Sequence, residues 1–479
     1  MNLIRSNRDF NGRKVLVMGL GTKNGGVWSA IYCHRNNATV TITDLNDSSK
    51  LRDSLKKIEK YPFELKLGRH DEADFLNADI IIKNPGIKRT NHFLNIAEAE
   101  NKIIDTPAGI FSEVHKRPYI GITGTKGKSY TTFLTSHLLS SLGLKSVAAG
   151  NNCVSPLEHT GKELRFVMEL SSWQLHELNL HKKSPQVACW LNFFPDHMNY
   201  YANKDDYFED KHNIAKHQSE EDFLILPFGE DFTEGIVTNA RRVYFSHRYN
   251  TGDADGCFIA DGMIHIRGNG IKTGIIPVSE LPEEFIPHQH LALLLASLCS
   301  VYFYIKRCNL NLFDTAKIVQ AIRSFEGVPH RFETIYKDDR YMVINDSSAS
   351  TPESVLYALQ NELRQPVALM MGGGHHKNLS FEKVIAQIIK KNIKVLLLKD
   401  DLTSDILREH FNKAGYADFV TETSFRSAVE KAYSLLTSNK EGTILLSPGC
   451  SGSPYFTDMF ERGDRFRKYI AEIISDQNL

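Results

Sequence analysis

The sequence predicts an α/β fold of three domains. The 479 residues exceed what one hydrophobic core usually organises, and roughly 100–200 residues per domain gives about three. Short apolar runs alternate with helical patterns along the chain, which is typical of parallel sheets covered by helices. Two of these runs lead into glycine-rich turns followed by a helix, the order in which α/β proteins build phosphate sites.

The first glycine-rich turn follows an apolar run at residues 14–18. Gly19-Leu20-Gly21 opens it, a helix is predicted around Trp28, and the next strand, 39–43, ends at Asp44. Asn24 stands at the third glycine position and breaks the Gly-x-Gly-x-x-Gly fingerprint. We therefore expect a Rossmann-like domain that holds a diphosphate or a nucleotide other than NAD, and an NAD-dependent dehydrogenase is the weaker alternative.

The second turn, Gly121 to Thr131, has the composition of a nucleotide-phosphate loop. A strand at 119–122 leads in, and a helix containing Leu134 and Leu138 leads out. Glycines let backbone N–H groups face phosphate oxygens, a lysine offsets their charge and a hydroxyl can bind Mg²⁺. The alternative is an ordinary surface turn, but the Lys-Ser pair stands at the positions that a nucleotide-phosphate loop requires. ATP or GTP is expected to contact Gly124, Thr125, Lys126, Gly127, Lys128, Ser129 and Tyr130.

Later apolar runs predict the remaining strands. They lie at 79–83, 166–170, 187–191, 341–345, 367–371, 394–398 and 443–446, and a helix is predicted near 284–305. The Gly/Asp-rich stretch 249–262 predicts a surface hairpin. We expect domains at 1–106, 107–326 (a central P-loop ATPase domain with a parallel sheet) and 327–479 (a second Rossmann-like α/β domain).

Composition narrows the class of partner. Lys plus Arg and Asp plus Glu both number 57, so no basic excess favours binding to nucleic acid. The seven cysteines are scattered and form no Cys-x-x-Cys pair, which favours reduced thiols and the cytoplasm. No apolar run is long enough to span a bilayer, and the polar N-terminus lacks a signal-peptide core. We expect a soluble cytoplasmic monomer without membrane insertion.

Three sites downstream of the phosphate loop carry polar side chains in or next to a predicted strand or helix. Glu169 ends an apolar run, Asp196-His197 follows another, and Lys211 lies in a helical pattern. Open α/β sheets place ligands at such strand ends. Taken singly, each is more simply a solvated acid, a surface histidine or a helix-surface lysine.

Together with the loop, these segments resemble the Mur ligase family, ATP-dependent amide-forming enzymes of bacterial cell-wall synthesis. The family loop Thr-Gly-Thr/Ser-x-Gly-Lys-Ser/Thr matches Thr123 to Ser129, which explains the unusual glycine spacing. The resemblance covers nearly the whole chain. Other matching segments are Glu169-Leu-Ser-Ser-x-Gln174, Asp196-His197-Met198, Lys211 fourteen residues after His197, His330-Arg331-Phe332-Glu333 and Asn345-Asp346-Ser347.

The resemblance implies a division of roles. Lys128, Glu169, His197 and Lys211 are implied to be catalytic, and Arg331 and Asp346 to contact ATP. Mg²⁺ is implied at Ser129, Glu169 and His197, and at Lys211 as a carbamate formed with carbon dioxide. The residues implied to bind the other substrates are Gly21, Thr22, Asn151, Ser171, Gln174, Ser348, Ser350, Lys377, Ser451 and Ser453.

Within the family, the pattern is most similar to members that add D-glutamate to UDP-N-acetylmuramoyl-L-alanine through an acyl phosphate. The Asn84-Pro85-Gly86-Ile87 turn, Gly373 to Lys377, Leu446 to Cys450 and Phe460 to Gly463 carry this similarity. The implied partners are therefore that UDP-sugar and glutamate. An alternative is a ligase of the same family that adds L-glutamate or another amino acid.

Several positions depart from these relatives. Ser348-Ala349-Ser350 replaces a usual Lys-Ala-Thr, and Gly452 stands where a serine is usual. The adenine-side pattern His-Asn-x-x-Asn becomes His288 to Ala292, with Gln289 and Ala292 at the asparagine positions. These changes leave the phosphate machinery intact and concern the amino-acid site and the choice of base.

Overall fold

The computed structural model contains three sheets, mainly parallel and flanked by helices. It describes residues 3–22, 24–151, 154–197, 200–248, 251–286, 288–374, 380–399, 401–450 and 455–476. The predicted α/β class is confirmed.

The first sheet has five parallel strands in the order β3-β2-β1-β4-β5. Its central strand is apolar and buried on both faces because helices cover the sheet on each side. The strands are β1 Lys14–Met18, β2 Thr39–Asp44, β3 Glu64–Leu67, β4 Ile80–Lys83 and β5 Ile103–Asp105, and the helices are α1 Gly25–Arg35, α2 Arg52–Ile58, α3 Glu72–Asn77, α4 His92–Ala99 and α5 Pro107–Val114.

The second sheet has nine strands in the order β14-β13-β12-β11-β10-β9-β6-β8-β7. It is parallel from β7 to β12, and β13 and β14 add an antiparallel edge. The strands are β6 Ile120–Thr123, β7 Ser146–Gly150, β8 Arg165–Glu169, β9 Val187–Trp190, β10 Phe223–Pro227, β11 Arg241–Ser246, β12 Gly256–Ala260, β13 Met263–Gly268 and β14 Ile271–Pro277, and the helices are α6 Lys128–Ser141, α7 Ser172–Leu180, α8 Lys204–His212, α9 His288–Arg307 and α10 Thr315–Ser324.

The third sheet has six strands in the order β15-β16-β20-β17-β18-β19, with only the edge strand β15 antiparallel. Val367 and Leu369 pack into one core and Ala368 and Met370 into the other, so both faces are covered. The strands are β15 Glu333–Lys337, β16 Tyr341–Asn345, β17 Val367–Met370, β18 Lys394–Leu398, β19 Phe419–Glu422 and β20 Gly442–Leu446, and the helices are α11 Pro352–Gln360, α12 Glu382–Lys391, α13 Leu402–Lys413, α14 Phe425–Asn439 and α15 Met459–Asp476.

The chain divides into two compact units. The first comprises residues 1–193, 205–282 and 292–325 and holds the first two sheets. The second comprises residues 194–204, 283–291 and 326–479 and holds the third sheet. The three-domain boundaries expected from the sequence stay a prediction.

Most predicted strands are present with shifts of one residue at an end. The hairpin expected at 249–262 is displaced, because β12 pairs with β13 and places the turn at Asp261–Gly262. The polar and glycine-rich composition of this stretch did not indicate a strand, so β12 was not predicted. No described helix combines the length and apolar character needed to cross a bilayer.

Candidate active site

The phosphate loop joins the end of β6 to the start of α6. Gly124 has φ 153° and Gly127, the residue before the helix, has φ 84°. A Cβ on Gly127 would also lie 2.6 Å from Leu293 Cδ2. The left-handed backbone therefore favours glycine at position 127, and a side chain there would also displace Leu293.

Asn192 braces this loop from the end of the neighbouring strand β9. The N–H groups of Thr125 and Lys126 donate to Asn192 Oδ1 at 3.0 and 2.9 Å, and Asn192 Nδ2 donates to Lys126 O at 3.0 Å. The sequence reasoning missed Asn192. Its signal was its position directly after a buried strand, which becomes informative only once β9 is known to lie beside β6.

Two ammonium groups meet at the loop. Lys128 Nζ donates to Gly124 O at 2.9 Å and to Thr125 O at 3.0 Å. Lys211 Nζ, whose side chain is 1% exposed, donates to the same Gly124 O at 2.9 Å and lies 4.8 Å from the centre of the Tyr207 ring. The structure thus excludes the surface-lysine alternative for Lys211. Two cations at a helix N-terminus suit the charge of a nucleotide polyphosphate.

Glu169 lies fully buried at the end of β8, beside the start of α6. Its Oε2 accepts from Ser129 Oγ at 2.5 Å and its Oε1 from Asn151 Nδ2 at 3.0 Å. Three residues predicted from separate segments therefore meet in one place. A carboxylate and a hydroxyl are ligand types that Mg²⁺ prefers, and a buried carboxylate gains from a cation, so these residues fit the ion.

Ser171 and Gln174 form the N-terminal cap of α7. The Ser171 N–H and hydroxyl both donate to Gln174 Oε1 at 3.0 Å, and the Gln174 N–H donates back to Ser171 Oγ at 3.3 Å. This reciprocal capping explains the residue types at this spacing by helix formation alone. Their role toward substrate stays a prediction.

The first glycine turn, Gly19 to Gly26, is shaped by close packing. Gly21 has φ 62°, and its N–H donates to Asp44 Oδ2 at 2.9 Å, while Thr22 is exposed. Asn24, also left-handed with φ 64°, precedes α1, and a Cβ on Gly26 would lie 2.2 Å from Gly19 O. Gly26 therefore supplies the close helix–strand contact that the fingerprint assigns to its third glycine, two residues later than expected.

In the second unit, Asp346 lies half-buried after β16. It accepts from Ser447 Oγ at 2.9 Å and from the Phe332 N–H at 3.1 Å. Burial raises the pKa of this carboxyl to about 7. Arg331, the other residue expected at ATP, is half-buried and contributes a nearby positive charge that opposes the rise.

His197 also belongs to the second unit. Its φ is 58°, and its N–H donates to Asp196 Oδ1 at 2.8 Å, while its Nε2 lies 3.8 Å from Asp196 Oδ2. Asp196 is 4% exposed and binds the His197 backbone, whereas the 3.8 Å between its carboxylate and the ring nitrogen exceeds a hydrogen-bond distance. The role of His197 toward a metal ion stays a prediction.

The remaining expected substrate residues divide into two groups. The Ser348 N–H donates to His330 O at 3.0 Å, and Ser350 is half-buried just before α11. Lys377, Ser451 and Ser453 lie outside the described residues. Within the described part of the chain, no three His, Cys, Asp or Glu side chains converge as a metal centre.

Comparisons with known proteins connect these sites to one family. A model of the Mur ligase middle domain matches residues 122–260, and a model of the Mur ligase MurD-like N-terminal domain matches residues 13–105. The UDP-N-acetylmuramoylalanine–D-glutamate ligase of Borreliella burgdorferi is 30% identical over 468 residues, which cover 95% of this chain and 97% of the relative.

Solved structures share the fold at low identity. The MurC ligase of Thermotoga maritima, a UDP-N-acetylmuramate-alanine ligase, matches with a TM-score of 0.59 and 17% identity over 96% of this chain and 100% of its own. The MurF ligase of Thermotoga maritima, solved in complex with ADP, matches with a TM-score of 0.55 and 14% identity over 98% of each chain.

Proposed function

Because the chain belongs to the Mur ligase family, we propose that it joins D-glutamate to UDP-N-acetylmuramoyl-L-alanine, using ATP and an acyl-phosphate intermediate, in peptidoglycan precursor synthesis. The observation that carries the proposal is the convergence of Lys128, Ser129, Glu169 and Lys211 at one loop. This is the arrangement expected of an ATP-dependent amide ligase. The names of the relatives add the substrates.

Acyl-phosphate formation requires positive charge that offsets the repulsion between two anions. A carboxylate must attack the terminal phosphoryl group of ATP, so two negatively charged groups have to approach in line. Lys128 offsets phosphate charge at the helix N-terminus, and the backbone of the loop positions the phosphates. The attack forms the acyl phosphate and releases ADP. The amine of the amino acid then attacks the acyl carbon, forms the amide and releases inorganic phosphate.

We propose that Mg²⁺ is held by Ser129 and Glu169, with His197 and a carbamate on Lys211 as further ligands. When bound, the ion supplies positive charge to the phosphate oxygens. Carbamylation would turn the buried Lys211 from a cation into an oxygen ligand. Asn151, through its hydrogen bond to Glu169, would hold the carboxylate in one orientation.

The other expected roles form part of the same proposal. The first sheet, residues 1–106, binds the UDP-sugar near Gly21 and Thr22. Residues 107–326 bind ATP, which Arg331 and Asp346 are also expected to contact. Residues 327–479 bring the amino acid, with Ser348, Ser350, Lys377, Ser451 and Ser453. A monomer in the cytoplasm stays a prediction.

The dehydrogenase alternative finds no support. Asp44, which would hold the ribose of NAD, accepts from the N–H groups of Gly21 and Asn46 at 2.9 and 2.8 Å. Asn24 replaces the third glycine and belongs to the cap of α1. The residues of this turn shape its backbone instead.

The test is phosphate release from ATP by the purified protein with UDP-N-acetylmuramoyl-L-alanine and a panel of amino acids. The expected result is release that depends on the UDP-sugar and is fastest with D-glutamate. L-glutamate changes the stereochemistry, D-aspartate shortens the side chain, and L-alanine lacks the side-chain carboxylate. Equal or faster turnover with L-alanine or a basic amino acid would contradict the acidic-substrate assignment.

A further inference from the structure

A buried ion cluster joins the first sheet to α7, the helix that follows Glu169. The cluster consists of Lys83 at the end of β4, Arg89 in the next connection, and Glu177 in α7; we call it the Glu177 cluster. Lys83 Nζ lies 2.8 Å from Glu177 Oε1, and Arg89 Nη2 lies 2.7 Å from Glu177 Oε2. Lys83 is 2% exposed and Glu177 4%. Both carboxylate oxygens thus bind a cation away from water.

The same two cations fix the turn Asn84 to Ile87. Lys83 Nζ also donates to Ile87 O at 3.1 Å and so closes the turn on itself. Arg89 Nη2 donates to Ile104 O at 3.3 Å in the adjacent strand β5. Glu177 therefore restrains the turn from both sides, through one cation at its start and one just past its end.

The turn Asn84 to Ile87 also contacts the first glycine turn, Gly19 to Gly26. Asn84 Nδ2 donates to Gly19 O at 3.0 Å, and a Cβ on Gly19 would lie 2.5 Å from the same nitrogen. The Asn84 amide therefore lies directly against the Gly19 backbone, in the space that a side chain at position 19 would fill. Gly19 lies two residues before Gly21, which we expect at the UDP-sugar.

The other end of the connection is the phosphate site. Ser171, the cap of α7, follows Glu169 by two residues, and Glu177 lies in the same helix, Ser172–Leu180. A short, capped helix moves as one body. The Glu177 cluster is therefore a continuous link between the strand that carries Glu169 and the turn expected to bind the UDP-sugar.

Stability alone does not explain the cluster. A buried ion pair is weak evidence for stability, because well-packed apolar residues of similar volume often stabilise a fold as well or better. What an ion cluster adds over apolar packing is direction, since each hydrogen bond fixes an orientation. Here the fixed orientation relates two parts of one reaction site.

We propose that Glu177 is a positioning residue that sets the UDP-sugar-binding turn relative to the phosphate site; this rests on the proposed function. Glu177→Gln removes the charge and keeps the shape. Loss of position at the reacting groups can cost roughly 10- to 100-fold. We expect the KM for UDP-N-acetylmuramoyl-L-alanine to rise about tenfold or more, with the KM for ATP changed less than about twofold.

A second variant distinguishes a loss of positioning from a failure to fold. Lys83→Met with Glu177→Gln removes two charges together, so no unpaired lysine remains buried. It should fold and show the same rise in KM for the UDP-sugar. Binding of the UDP-sugar without ATP, followed by calorimetry, should weaken by the same factor in both variants.

The matched control is a second largely buried ion pair of the first unit. Arg307 Nε, at the end of α9, donates to Asp222 Oδ1 at 2.8 Å. Arg307→Met should lower the melting temperature and leave both KM values unchanged. If Glu177→Gln behaves like Arg307→Met, with lower stability and unchanged KM for the UDP-sugar, the positioning role is overturned. Absence of wild-type turnover would instead overturn the proposed function.

Discussion

The two glycine turns of the first unit share a backbone plan and differ in charge. Each leaves the end of a parallel strand and enters a helix through a residue in the left-handed region, Asn24 at φ 64° and Gly127 at φ 84°. The first turn of α6 carries Lys128 and Ser129, whereas α1 begins with two glycines. A carboxylate lies at each site, Asp44 at one and Glu169 at the other.

The two carboxylates have different partners. Asp44 accepts backbone N–H groups and so shapes its own turn, whereas Glu169 accepts from the Ser129 hydroxyl and the Asn151 amide. A helix N-terminus with free N–H groups attracts any phosphate. At the second turn, the ammonium groups of Lys128 and Lys211 both donate to Gly124 O, and the fully buried Glu169 accepts from Ser129 in the first turn of α6. Backbone geometry therefore makes an anion site, and side chains decide whether it also performs phosphoryl transfer.

The strongest test removes Lys128, one of the two cations at the second turn. Lys128→Ala should lower turnover by about 10²- to 10³-fold, because the ammonium group compensates charge that develops along the reaction. Steady-state phosphate release measures the effect. Lys145→Ala, an exposed lysine beyond the far end of α6, is the control and should retain activity. Near-wild-type activity in Lys128→Ala would remove the ATP assignment of this turn.

Lys211 tests whether the second turn uses a carbamate. Lys211→Ala should lose at least about 10²-fold in turnover. Added acetate or propionate should restore part of it, because a carboxylate can fill the space and return an oxygen ligand. Chloride at equal ionic strength is the control. Full activity without additives would mean that the buried lysine has only a structural role.

The two carboxylates give the next comparison. Glu169→Gln should lower kcat by about 10²-fold, because the residue acts where charge develops. Asp44→Asn should raise the KM for the UDP-sugar by roughly tenfold and leave kcat unchanged, because asparagine replaces the charge-assisted hydrogen bond that holds the Gly21 N–H with a weaker neutral one. Separate determination of kcat and KM distinguishes the two. Equal losses of kcat would show that the turns do not divide the work in this way.

The smallest expected effect concerns backbone packing in the first turn. Gly26→Ala should lower the free energy of unfolding by about 1–3 kcal/mol, since its Cβ would press against Gly19 O. Gly25→Ala is the matched control: its Cβ would lie 3.6 Å from Asn84 Oδ1, an ordinary contact. Denaturant unfolding measures both. Similar values for the two variants would contradict a close-packing role for Gly26.

The sequence alone determined the class of fold and the identity of the phosphate loop. Strand-length apolar runs alternating with helical patterns reflect parallel strands buried on both faces, so the pattern survives without any structure. The loop was recognisable because left-handed glycines, a lysine and a hydroxyl are required at fixed local spacing, as Gly124 to Ser129 show. The strand end at Glu169 and the strand that precedes Asp196 could be located for the same local reason.

Only the tertiary structure decided which distant residues meet. Asn192 braces the loop because β9 lies beside β6, and Lys211 is buried because α8 brings it to Gly124; neither contact has a local signal. The structure also shows that Gly26 takes the packing role of the missing third glycine. The sequence could not show this, because the close approach depends on how a helix and a strand pack together. The Glu177 cluster joins α7 to Lys83 and Arg89, and Arg89 precedes Glu177 by 88 residues. Local patterns specify elements, whereas burial and pairing between elements specify the site.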